Sequence, residues 1–108
     1  MKITLPHQTT QPEAIQKIDR KLNEAMAMDF PAGVRIIDPY KKWNGNIMNF
    51  SFTVQRFILS LDFEGTVIVT DQEVIGEADI PGIVTTFFSE ETIKGVIRQQ
   101  FNQLFNIR

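Results

Sequence analysis

The chain has 108 residues, 43% hydrophobic and 22% charged, with a net charge of −2 and no cysteine. That length supports one domain with a real core and not two. The mildly negative charge gives no electrostatic reason to expect nucleic-acid binding, and the absence of cysteine excludes a disulfide framework and thiolate chemistry.

The first ten residues lack the apolar run of a secretion signal, and no stretch approaches the roughly 18 apolar residues of a membrane span. The expectation is a cytoplasmic single α+β domain over residues 1–108. Residues 2–5 read as a short strand stopped by Pro6. Thr10-Gln11-Pro12-Glu13 is a capping-box pattern with proline in the first turn. The helix it opens carries Ile15, Ile18, Leu22, Ala25 and Met26 on one face. It should end near Met28, because Pro31 disfavours helical geometry at Phe30 in Phe30-Pro31-Ala32-Gly33. Residues 34–38 read as a second strand, and residues 39–46, with Trp43-Asn44-Gly45, as a loop.

Two long alternating runs follow. Residues 47–54 put Met48, Phe50, Phe52 and Val54 on one face, and residues 57–69 put Phe57, Leu59, Leu61, Phe63, Gly65, Val67 and Val69 on one face. A turn at Gln55-Arg56 places Val54 opposite Phe57, Phe52 opposite Leu59, Phe50 opposite Leu61 and Met48 opposite Phe63, which joins both apolar rows in one core. A turn at Asp71-Gln72 places Val69 opposite Val74, Val67 opposite Gly76, Gly65 opposite Ala78 and Phe63 opposite Ile80. Pro81-Gly82 ends the fifth strand, and residues 83–88 form an apolar connection. Ser89 caps a final helix, with Glu90 and Glu91 at its positive end and Ile93, Val96, Ile97, Phe101, Leu104 and Phe105 on its apolar face. The order is β-α-β-β-β-β-α: an antiparallel meander with two amphipathic helices packed on one face.

The order and spacing of several pieces then resemble the polyhydroxyalkanoic acid system family, small bacterial proteins encoded near polyester-granule genes. The pieces are Pro6-His7 before a helix containing Ala14-Ile15, Trp43-Asn44-Gly45 before Phe50-Ser51-Phe52, the run Gly65-Thr66-Val67-Ile68-Val69-Thr70-Asp71-Gln72-Glu73-Val74, and Ile80-Pro81 before an amphipathic helix. The resemblance implies a link with granule metabolism through gene context and a granule-associated partner. It brings no catalytic residues with it.

The residues themselves suggest little chemistry. His7 is the only histidine and has no carboxylate within five residues, so it reads as a surface or packing residue before a general base or metal ligand. No catalytic motif, cofactor or metal site is expected. Asp62, Glu64, Glu77 and Asp79 share the outer sheet face, with Glu64 opposite Asp79; a weak cation site or docking patch is weighed against a solvated face, and the solvated face is favoured. Gly65, Gly76 and Ala78 fall together on the core face, where they admit either an apolar ligand or a closely packed helix. Trp43 reads as a ring folded over the core edge with its N–H bonded, rather than as a binding anchor. Residues 80–88 carry five large apolar residues and no charge, so Ile83, Val84, Phe87 and Phe88 form a candidate interaction surface for a second copy or a granule-associated partner; Phe87 is alternatively a staple onto the last helix. The expected function is that of a non-enzymatic accessory or interaction protein. The alternative is a small helix-grip-like module for an apolar ligand.

Overall fold

The computed structural model describes residues 1–27 and 33–107, and of Phe87 the backbone alone. The element order is β1 (Lys2–Pro6), α1 (Gln11–Met26), β2 (Arg35–Asn44), β3 (Ile47–Arg56), β4 (Leu59–Val69), β5 (Glu73–Asp79), α2 (Gly82–Phe87) and α3 (Glu90–Leu104). The strands form one antiparallel sheet in the order β1-β5-β4-β3-β2. The class is therefore α+β with a meander at its centre. β1, whose place the sequence left open, pairs with β5 and forms one edge.

Alternation in the strands creates two faces of different chemistry. Leu5, Val74, Val69, Val67, Met48 and Trp43 line the face against which the helices pack. There Ala14 and Ile18 of α1 and Phe105, which caps α3, join Val69 and Val74 in the buried cluster. α1 starts as its sequence dictates: the Thr10 hydroxyl accepts from the Glu13 N–H at 3.3 Å. The reciprocal half of the box is replaced. The Thr9 hydroxyl donates to Glu13 at 2.7 Å and, with help from Lys17, holds that carboxyl below its usual range. The expected helix end near Met28 and the Phe30-Pro31-Ala32 segment lie outside the described residues.

Four expectations are corrected. First, residues 39–44 are strand and not loop. One extra residue on β2 makes a bulge between Ile37 and Tyr40, with Asp38 at φ 51°, and pairing resumes beyond Pro39. The β2–β3 turn shrinks to Gly45-Asn46, where Gly45 takes the φ of 64° that a primed hairpin turn requires at its first position. Second, the β3–β4 register is displaced by four residues. Val54 faces Leu61, Phe52 faces Phe63, Phe50 faces Gly65 and Met48 faces Val67, so the turn is Phe57-Ile58. An even displacement leaves every side chain on its predicted face, which is why alternation did not distinguish the two registers. Third, the β4–β5 register matches expectation at Val69–Val74, Val67–Gly76 and Gly65–Ala78, but the ladder stops at Glu64–Asp79 and Phe63 has no Ile80 opposite. Pro81 is the N-cap of a helix, so Ile80 leaves the sheet. Fourth, the connection after β5 is largely helical, giving α2 and three helices where two were expected.

The last helix is also less buried than its apolar periodicity suggests. Ser89 caps it as expected, accepting from the Thr92 N–H at 3.2 Å. No residue of α3 is buried, and Val96, placed on its apolar face by the periodicity, is 55% exposed.

Candidate functional site

His7 is held where the chain turns from β1 toward α1. The loop after β4 is shaped by Thr70, whose hydroxyl accepts from the Glu73 N–H at 2.9 Å and whose own N–H donates to the Glu73 carbonyl at 2.8 Å. This presents the Thr70 carbonyl to His7 Nε2 at 2.9 Å, and the Thr9 N–H donates to Nδ1 at 3.2 Å. Since Nδ1 accepts, Nε2 carries the proton and donates, which defines a neutral tautomer. The ring is 1% exposed and lies 6.3 Å from the Phe105 ring. Both nitrogens are occupied by backbone, so His7 ties β1, the β4–β5 loop and the end of α3 together and offers no free nitrogen to a substrate.

The outer sheet face carries an open groove of about 620 Å³, with Lys2, Tyr40, Asn49, Glu64, Glu77 and Asp79 among its lining. Glu64 stands opposite Asp79 and Thr66 opposite Glu77, as the sequence register placed them. Lys2 approaches Glu77 at 3.6 Å, and Thr53 donates to Asp62 at 2.7 Å. Among the described residues no group of three or more His, Asp or Glu side chains is arranged to hold a metal ion. Two of the four acids, Asp62 and Glu77, thus have local partners, and exposed Tyr40 and Ile47 lie on the same face.

On the helix side, the nearest neighbours of Gly65 and Gly76 come from adjacent strands. A Cβ on Gly65 would collide with the Glu77 carbonyl and stand 2.8 Å from the tip of the Phe50 ring and 2.9 Å from the Ala78 Cα. The Phe50 ring therefore lies over Gly65, and the Ile3 methyl lies 3.4 Å from the corresponding point on Gly76. Phe50, Phe52 and Phe63 continue outward as a stack, with centroids 6.3 and 5.2 Å apart. On this face Gly65 lies under Phe50 and Gly76 beside Ile3, while Gly65 and Ala78 also border the outer groove.

Trp43 sits on β2 with its ring against the core, and its N–H donates to Asp19 at 2.9 Å. Lys41, two residues earlier on the same face of β2, also donates to Asp19. The Lys41 hydrogen bond first, and the Trp43 N–H second, hold the Asp19 carboxyl below the usual aspartate range. Asp19 was not singled out from sequence. Its signal was its place one position after Ile18 on the flank of an amphipathic helix, where a carboxylate is ordinarily solvated.

Apart from Tyr40, Ile47 and Val96, the exposed large apolar side chains fall in two regions. Ile83 is 46% and Phe88 56% exposed, while Val84 is half-buried and the side chain of Phe87 lies outside the described residues. The second region was not anticipated: Phe57 is 80%, Ile58 102% and Leu59 48% exposed, at the tip of the β3–β4 hairpin. Residues counted in sequence as the start of a buried row are instead its protruding end. No described helix is long and apolar enough to cross a membrane. Comparison of the chain with family models, with curated proteins and with solved structures finds no match.

Proposed function

We propose that this chain is a non-enzymatic accessory or interaction protein acting through apolar surface, in a cytoplasmic setting and linked by its sequence resemblance to polyester-granule metabolism. The observation that carries the reading is the surface left uncovered. The accessible area is 7322 Å², whereas a monomer of 12.4 kDa is expected to expose about 6,100 Å². The surplus, roughly 1,200 Å², is spread over the whole molecule, the β3–β4 tip included, and part of it is apolar surface on α2 and α3. Ile83, Phe88 and Val96 supply exposed apolar side chains on α2, its C-cap and α3. The partner is a second copy of the chain or a granule-associated protein, with self-association the simplest cover because a two-fold interface reuses one patch.

The test is sedimentation and native mass spectrometry of the full chain beside the Ile83→Ser, Phe88→Ser double variant. The expected outcome is that the variant keeps its circular-dichroism spectrum and loses association. A wild-type chain that stays monomeric and captures no granule-associated protein, or a variant that associates as the wild type does, refutes the reading.

A further inference from the structure

We propose that the β3–β4 hairpin tip, Phe57-Ile58-Leu59, is a lipid anchor that inserts into the interfacial zone of a phospholipid surface. Among the described residues these are the only large apolar side chains exposed at consecutive positions. The turn they form is costly in its own right. Arg56 pairs with Leu59, so Phe57 and Ile58 alone reverse the chain, and Phe57 does so at φ 56°. Tight hairpin turns favour glycine or asparagine at such a position, and a bulky residue there is strained. Neither burial nor backbone preference accounts for an aromatic and a β-branched residue at this tip. Contact with something outside the chain does.

Shape and size select the occupant. The tip is convex and cannot enclose a ligand. Three side chains fall well short of the approximately 800 Å² a protein partner would bury. Insertion into a lipid interface scales with apolar area and needs no shaped pocket. Charge agrees. The Arg56 guanidinium lies over the Phe57 ring at 5.3 Å, and Arg35 pairs with Gln55 one step behind. The sequence from Pro39 to Leu61 holds no acidic residue. An aromatic and aliphatic tip with a cationic collar suits the boundary between acyl chains and headgroups. The acids of the outer face begin at Asp62, behind the tip.

This anchor is distinct from the α2–α3 surface, and its test separates the two. The full chain is floated with phosphatidylcholine vesicles, with and without phosphatidylglycerol. The Phe57→Gly, Ile58→Ser variant installs a favoured turn pair, so its thermal midpoint should rise while vesicle partitioning falls at least about tenfold. Arg56→Gln should weaken partitioning only where phosphatidylglycerol is present, and more so at low salt. The Ile83→Ser, Phe88→Ser variant should float as the wild type does. Failure of the wild type to float overturns the anchor, as does unchanged flotation of the tip variant. Loss of flotation in the Ile83→Ser, Phe88→Ser variant alone overturns it while leaving the interaction-protein reading intact. A tip variant that floats normally but loses self-association assigns the tip to a protein contact and also overturns the proposal.

Discussion

Gly65 shows how one residue decides a local architecture. Its Cβ position is closed by the Glu77 carbonyl from one neighbouring strand and by the Phe50 ring from the other. Gly65→Ala should destabilise the fold by roughly 1–3 kcal/mol, the ordinary cost of overpacking. Adding Phe50→Ala should not restore stability, because the nearer obstacle is backbone; urea unfolding of the single and double variants checks this, and full rescue would show that the ring alone excludes the methyl. His7 makes a related point. Its sequence surroundings pointed to packing, yet its ring partners are a carbonyl and an N–H that only the folded β4–β5 loop and the following turn bring to it.

At the scale of elements, Asp19 joins α1 to β2 through Lys41 and Trp43. Because its folded-state carboxyl titrates below the usual range, the stability it contributes is present above the ordinary aspartate value, about 4. That contribution is lost as pH falls through the lowered value. The Asp19 side chain is 35% exposed, so solvent screening limits the contribution to about 0.5–1 kcal/mol. Asp19→Asn should cost that much at neutral pH and flatten the acid limb of the stability curve below about pH 4. Equal acid limbs for both proteins, measured by denaturant titration at each pH, would remove Asp19 as the tie.

Over the whole molecule the burial is uneven. The extents are 42 × 26 × 22 Å, and the radius of gyration is 14.1 Å, against about 13 Å expected for this length. The buried hydrophobic residues Leu5, Ala14, Ile18, Met48, Val69, Val74 and Phe105 gather where the β4–β5 loop meets the helices, whereas the far half of the β3–β4 hairpin contributes none. Local opening free energy follows buried contacts. Amide exchange should therefore be slowest around Val69 and Val74 and fastest around Gln55 and Ser60. Uniform protection along β4 would contradict a core confined to one end.

Alternation by itself determined which face each residue of β3, β4 and β5 occupies, because side-chain direction depends only on odd or even position. The capping residues Thr10 and Ser89 likewise marked their helices, since a hydroxyl bonding to an N–H three residues on is a local event. Parity cannot separate registers that differ by an even number, so the choice of Phe57-Ile58 over Gln55-Arg56 as the turn lay beyond the sequence pattern. So did the bulge at Asp38, the pairing of β1 with β5, the helical winding after Pro81 and the placing of Asp19 beside Lys41 and Trp43. Except for the winding after Pro81, whose bonds are local, each depends on contacts between residues distant in the chain, and only the assembled sheet and helices decide them.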